Sequence, residues 1–211
     1  MRTCHIVCAM PMECGLQMKE GDLLIAADAG YLNLLSQKVR PDLVVGDFDS
    51  LGYVPEQVPI QKHPVRKDDT DTLLSIRIGL EQGCDRFLLY GATGGRIDHT
   101  IANIQSLAFI ANRGAEGYLA GNEMMTVFKT GELVFPRTFS GTISVFALGG
   151  RAQSVSIQNL SFPFLGELET DYPLGVSNRF IGEEARISVS DGSLLVIWSG
   201  QERFALPVLR H

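Results

Sequence analysis

Phe87-Leu88-Leu89-Tyr90-Gly91-Ala92-Thr93-Gly94-Gly95-Arg96-Ile97-Asp98-His99 passes from one structural period to another within a single stretch. Phe87–Tyr90 is wholly apolar, as a strand covered on both faces must be. Three glycines then break the run. From Ile97 to Asn112 the pattern is helical: Ile97, Ile101, Ile104 and Ala108 fall at i, i+4, i+7 and i+11, which predicts one buried helix face. Strand, glycine turn and helix together make half of a parallel crossover unit.

Reading outward toward the N-terminus, further apolar strand-like runs occur at Cys4–Ala9, Leu23–Ala27 and Leu43–Val45, with a second helical pattern over Asp71–Gln82. Gly117–Ala120 closes the series. Apolar strands alternating with helices predict a parallel sheet with helices on both faces. Beyond about residue 122 the pattern changes. Glu123–Lys129, Glu132–Phe135, Thr142–Ala147, Ser154–Ile157, Arg186–Ser190 and Leu194–Trp198 are short strand-like runs, punctuated by Thr130-Gly131, Gly149-Gly150 and Asp191-Gly192. That is the pattern of an antiparallel sandwich or barrel. The expectation is a Rossmann-like α/β domain over 1–122 followed by an antiparallel β-sandwich over 123–211.

Composition limits the function. The chain has 211 residues, 45% hydrophobic and 20% charged, which excludes disorder and collagen-like repetition. Its 18 Lys+Arg against 24 Asp+Glu leave a net charge of −6, without the clustered cations of a nucleic-acid binder. No apolar run reaches the ~18 residues of a membrane span. The first apolar stretch ends at Pro11 and Glu13 without a small-residue cleavage site, so it reads as a strand and not a signal peptide. Cys4 and Cys8 share a strand face about 13 Å apart, too far for a disulfide or a common zinc. The cysteines therefore read as small buried residues of a protein in a reducing compartment.

Six aspartates fall between positions 42 and 71. In Leu43-Val44-Val45-Gly46-Asp47-Phe48-Asp49-Ser50 a buried strand runs into carboxylates at i and i+2. If the chain stays extended, Asp47 and Asp49 point to one side beyond the carboxyl end of the strand, where open sheets bind ligands and where a hard cation such as Mg²⁺ relieves their repulsion. The competing reading is a polar turn with Asp49 or Ser50 capping a helix. Lys67-Asp68-Asp69-Thr70-Asp71-Thr72 enters the Asp71–Gln82 helix; capping explains one or two of these residues, and metal and phosphate binding would explain the surplus. Thr93-Gly94-Gly95-Arg96 lets backbone approach an anion at a helix N-terminus, with Arg96 as a fork of donors. Its spacing is neither a P-loop nor Gly-x-Gly-x-x-Gly, and a tight turn with a surface Arg96 is the plainer alternative. Asp98 suits the helix dipole, and His99 reads as packing or hydrogen bonding. Gly175-Val176-Ser177-Asn178-Arg179-Phe180 reads either as an ordinary loop or as polar contacts for a flat heterocycle.

Taken together, these motifs resemble the bacterial thiamin pyrophosphokinases. The matching segments, in family order, are Ala27-Asp28-Ala29-Gly30, Pro41-Asp42, Gly46-Asp47-Phe48-Asp49-Ser50, Lys67-Asp68-Asp69-Thr70-Asp71, Gly94-Gly95-Arg96-Ile97-Asp98-His99 and Gly175-Val176-Ser177-Asn178 with Phe180. Ala29 stands where the family usually has glycine, and Ala9-Met10-Pro11 where a glycine is common. The resemblance implies a cytoplasmic enzyme that transfers the diphosphate of ATP to the hydroxyl of thiamine, giving AMP and thiamine diphosphate. It implies Mg²⁺ on Asp47, Asp49 and Asp71, with Arg96 and Asp98 also catalytic. Asp28, Lys67, Thr70, Thr93, Gly94, Gly95 and Arg96 would bind ATP, and Ser177 and Asn178 thiamine, in a homodimer with shared sites. The rival readings are a diphosphokinase of another heterocyclic alcohol, such as a pterin, and a non-catalytic Mg-nucleotide sensor.

Overall fold

In a computed structural model, described over residues 1–49, 51–56, 58–62, 69–199 and 205–211, the chain divides into two units, Met1–Gly121 and Asn122–His211. The first holds six strands: β1 (Thr3–Val7), β2 (Leu23–Ala27), β3 (Leu43–Gly46), β4 (Ile60–Lys62), β5 (Arg86–Tyr90) and β6 (Glu116–Ala120). They pair in parallel in the order β4-β3-β2-β1-β5-β6. Ile6, Ile25, Val44 and Leu89 are wholly buried at its centre. Burial of each such side chain stabilises by about 1.5–3 kcal/mol.

Three helices cover the sheet: α1 (Gly30–Ser36), α2 (Asp71–Glu81) and α3 (Ile97–Ala111). A Cβ on Gly79 of α2 would lie 2.6 Å from the Phe87 ring and 3.0 Å from Cys4 Sγ, and one on Gly117 would lie 2.9 Å from Ile110 Cδ1 of α3. Cys4, Phe87 and Gly117 are register partners, so α2 and α3 share one face. Right-handed crossovers then put α1 on the other, because the chain moves outward through α1 and back through α2. Gly30 opens α1 where a Cβ would sit 1.9 Å from the Val7 carbonyl oxygen. Only glycine allows that approach.

The face expected of α3 is corrected by the structure. Ile97 is 77% and Ile101 52% exposed, and Ile104 and Ala108 are only partly covered; Asn103, Ser106, Leu107 and Ile110 are the buried residues. The helix is rotated because Leu107 and Ile110 fill the space left by Gly117, and Asn103 Nδ2 donates to the Ala92 carbonyl at 2.6 Å.

No helix joins β1 to β2. The intervening segment is pinned instead by a buried polar chain. His5, fully buried, bonds Asp22 Oδ2 through Nε2 at 3.1 Å. A carboxylate only accepts, so Nε2 carries the proton and Nδ1 accepts from the Tyr90 hydroxyl at 3.1 Å. Asp22 also accepts from the Thr3 and Lys19 backbone N–H groups. Cys4, Cys8 and Cys84 are buried, and all four cysteines are free thiols.

The second unit contains β7 (Glu123–Phe135), β8 (Thr142–Ala147), β9 (Ala152–Gln158), β10 (Phe164–Leu168), β11 (Gly175–Arg179), β12 (Ala185–Ser199) and β13 (Val208–Arg210). The long antiparallel pair β7–β12 is shared by two sets of strands. One half of β12 pairs with β9, which pairs with β10; the other half pairs with β8, which pairs with β11. The breaks expected at Thr130-Gly131 and Asp191-Gly192 are not chain ends. Both strands continue through them, with a register slip between Val189 and Ser193 and left-handed backbone at Thr130 and Gly192. Bulges let a strand bend and serve two neighbours. Trp198, Phe135, Phe139 and Phe180 form the aromatic core, with Phe135 5.3 Å from Trp198 and 5.2 Å from Phe139.

Candidate active site

Strand order reverses between β1 and β5, the place where open parallel sheets bind ligands at their carboxyl edge. A cavity of about 280 Å³ lies there. Cys8, Ala9 and Met10 line it where β1 ends, and Ala27 and Asp28 where β2 ends. Thr70, Asp71 and Thr72 come from the start of α2, Gly91, Ala92 and Gly94 follow β5, and Arg96, His99 and Asn103 belong to the start of α3. Five predicted site residues therefore surround one cavity: Asp28, Thr70, Asp71, Gly94 and Arg96. Thr93 and Gly95 belong to the same turn without lining it. Lys67 and Asp68 lie outside the described residues.

Thr70 is the N-cap of α2, its hydroxyl accepting from the Leu73 N–H at 3.2 Å. Asp69 pairs with Arg77 at 2.8 Å, which accounts for part of the acidic surplus ahead of α2. Asp28 has a left-handed backbone (φ 46°), and its Oδ1 is buried with no hydrogen-bond partner among the described residues. Ala29, in contrast, is right-handed at φ −61°, so alanine fits where the family usually has glycine.

The Asp47–Asp49 segment is not extended. Phe48 is left-handed at φ 67° and buried, and the Asp49 N–H donates to Asp47 Oδ1 at 3.1 Å. The carboxylates thus stand on a turn beyond β3 that Phe48 anchors, not on one face of a strand. Neither lines the cavity. Among the described residues no group of three His, Cys, Asp or Glu could hold a metal ion alone.

Arg96 forks onto Asp98, Nε to Oδ1 at 3.1 Å and NH2 to Oδ2 at 2.5 Å, and the His99 N–H also donates to Asp98. The Arg96 hydrogen bond holds the Asp98 carboxyl below its usual range. Both side chains are exposed, and exposed pairs exchange partners at little cost. The Arg96 fork is therefore available to an anion.

Residues that pattern reading missed sit in the cavity wall and behind it. Asn33 Nδ2 donates to the Cys8 and Met10 carbonyls at 2.9 and 2.8 Å. Cys8 Sγ meets Thr72 Oγ1 at 3.5 Å, and burial pushes its thiol up to about 11. For Asn103 a signal existed: an amide within the apolar run Ile101-Ala102-Asn103-Ile104.

In the second unit, Gly175–Arg179 is a strand and not the loop that was the plainer reading. Its register breaks between Gly175 and Asn178, where Ser177 is left-handed (φ 60°) and exposed. Asn178 is buried; its Oδ1 accepts from the Phe162 N–H at 2.9 Å and its Nδ2 donates to the Phe162 carbonyl at 2.6 Å. An apolar cavity of about 210 Å³ adjoins them, lined in part by Phe162, Phe164, Leu174 and Val176.

A parallel sheet with a glycine turn, an arginine and carboxylates around a cavity at its carboxyl edge defines an α/β unit with a polar pocket where the strand order reverses. Residues 15–119 match the model of the thiamin pyrophosphokinase catalytic domain. The thiamine pyrophosphokinase of Bacillus subtilis is 37% identical over 95 residues, 42% of this chain and 44% of that protein, so the match spans less than half of the relative. The crystal structure of thiamine pyrophosphokinase from Bacillus subtilis superposes with a TM-score of 0.81 at 24% identity, over 93% of this chain and 98% of the other. Thiamin pyrophosphokinase from Geobacillus thermodenitrificans gives 0.80 at 23%, over 96% and 100%. Thiamin pyrophosphokinase from Candida albicans gives 0.75 at 16%, over 93% and 90%. These likenesses establish the fold: a mixed sheet with few helices.

Proposed function

We propose that this protein is a thiamine diphosphokinase, which moves the diphosphate of ATP onto the hydroxyl of thiamine and releases AMP. The observation that carries this reading is the cavity at the β1–β5 switch point, edged by Asp28, Thr70, Asp71, Gly94 and Arg96, all five within the stretch that matches the catalytic-domain model. A Rossmann-like domain over 1–122 binds ATP and Mg²⁺, and a β-sandwich domain over 123–211 binds thiamine.

The donor set suits Mg²⁺. Asp47, Asp49 and Asp71 offer hard oxygens, and the lack of a three-residue cage among the described residues agrees with an ion held by one or two carboxylates and the substrate phosphates. When bound, the ion supplies charge neutralisation for the transferred diphosphate. The turn through Thr93, Gly94 and Gly95 receives phosphate oxygens on backbone N–H groups at the start of α3. Arg96 leaves Asp98 to grip a phosphate bidentately, and Asp98 then orients the fork. Asp28 and Thr70 line the nucleotide side, joined by Lys67. Ser177 offers thiamine its hydroxyl, and Asn178 holds the Phe162 segment that walls the heterocycle.

The protein works as a homodimer with shared sites. Phe162 (66% exposed), Leu165 (82%), Tyr172, Leu174, Val176 and Ile181 are exposed within one short span of the second unit, and clustered exposed apolar residues suit an interaction surface. A cytoplasmic location follows from the need for ATP. The test is to incubate the protein with ATP, Mg²⁺ and, separately, thiamine, hydroxymethyl pterins and pyrimidine alcohols. AMP released with thiamine alone supports the assignment; AMP with a pterin instead, or nucleotide binding without any AMP, replaces it.

A further inference from the structure

Two asparagines hold the wall of the nucleotide cavity, Asn33 from behind it and Asn103 from within its lining. β1 and β5 stay bonded past their ends: the Cys8 N–H donates to the Tyr90 carbonyl at 2.8 Å and the Met10 N–H to the Gly91 carbonyl at 3.1 Å. Their exits are so close that a Cβ on Gly91 would lie 2.1 Å from the Met10 carbonyl oxygen. Strand exits at a switch point normally diverge to opposite faces. Here α1, on one face, ties down the first exit through Asn33, and α3, on the other, ties down the second through Asn103.

The three carbonyls involved, of Cys8, Met10 and Ala92, belong to residues lining the cavity. Each has left its strand, so among the described residues none has a ladder donor to replace the amide. A carbonyl deprived of its donor at a buried site carries a desolvation penalty and turns to find another. Turning the Ala92 peptide reorients the one that follows, and with it the Thr93–Gly95 turn that presents N–H groups to phosphate.

We infer that Asn33 and Asn103 are positioning residues of one clamp, which sets the wall and the glycine turn for the triphosphate of ATP. This rests on the diphosphokinase reading. The clamp is a single unit, because the two exits meet through the Met10–Gly91 bond. Its signature is therefore non-additivity. Asn33→Ala and Asn103→Ala should each weaken ATP binding about tenfold, with thiamine KM unchanged. The double variant should lose no more than the worse single, since a wall already released cannot be released twice.

The experiment is calorimetric titration of ATP, without thiamine, into wild type, both single variants and the double variant. Melting curves for all four, and steady-state KM for each substrate, accompany it. ATP losses that saturate while the thiamine KM stays unchanged support the clamp, because a merely structural lesion raises both KM values together. Losses that multiply, ATP affinity that stays at the wild-type value, or a thiamine KM that rises equally would each overturn it. Should an alanine variant fail to fold, Asn33→Leu and Asn103→Leu replace it, keeping the approximate shape and removing the donor without adding a charge. If wild type itself binds no ATP, the diphosphokinase reading falls and the clamp with it; if wild type binds and the variants match it, only the clamp falls.

Discussion

Asp49 is exposed on a turn that buried Phe48 anchors, so its charge can be removed without disturbing the core. Asp49→Asn should melt like wild type and turn over at least ~100-fold more slowly, as expected when charge stabilisation of a transferring phosphoryl group is lost. Parallel melting curves and AMP release rates check this, and a soluble variant near the normal rate would remove Asp49 from the metal set. At Ser177 the substitution is alanine: serine already carries its Cβ at φ 60°, so Ser177→Ala removes the hydroxyl and keeps the left-handed turn without new backbone strain. It should weaken thiamine binding by about 0.5–1.5 kcal/mol and leave ATP binding unchanged. A fall in ATP affinity with thiamine held constant would move the acceptor site away from β11. At this scale the sequence was most legible where a polar residue directly follows a strand or opens a helix, as with Asp28 and Arg96. It was least legible for Asn33 and Asn103, which bond backbone carbonyls brought near only by the tertiary fold.

The segment between β1 and β2 depends on His5, and that dependence has a direction in pH. Burial, the largest influence, lowers the His5 pKa below its ordinary value; the Asp22 hydrogen bond opposes it more weakly. A histidine with a depressed folded pKa takes up its proton more readily when unfolded. Its stabilising contribution is thus complete above about pH 6.5, the unfolded value, and declines as pH falls toward the folded one. Denaturant midpoints measured from about pH 7.5 down to 5 should decline for wild type, and the decline should be shallower in His5→Gln. Equal slopes would mean that another group governs this range. The elements themselves were readable in proportion to their contrast. Leu23–Ala27 and Thr142–Ala147 appear with the expected bounds because apolar runs end there in strong turn residues. α3 was found but misphased, since it carries apolar residues on more than one side and only packing on Gly117 chooses between them. Five elements went unread: α1, β4, β10, β11 and β13. All are short, and β11 is punctuated by a left-handed serine.

For the whole molecule, the proposed homodimer with shared sites makes a prediction that a single-chain site does not. Asp71→Asn and a bulky replacement such as Ser177→Trp should each be inactive alone. When their dimers are mixed and allowed to exchange, a hybrid places both lesions in one site and neither in the other. Equal mixing should then restore roughly a quarter of the wild-type sites, given two-fold symmetry. No recovery after confirmed exchange would confine each site to one chain.

The diphosphokinase assignment is tested most directly by product stoichiometry. Purified protein is given ATP, Mg²⁺ and thiamine, and AMP, ADP and thiamine diphosphate are quantified together over time. Attack of the thiamine hydroxyl on the β-phosphorus predicts AMP and thiamine diphosphate in equal amounts, no ADP, and no AMP when thiamine is omitted. ADP as the nucleotide product, or AMP that forms without thiamine, would contradict it.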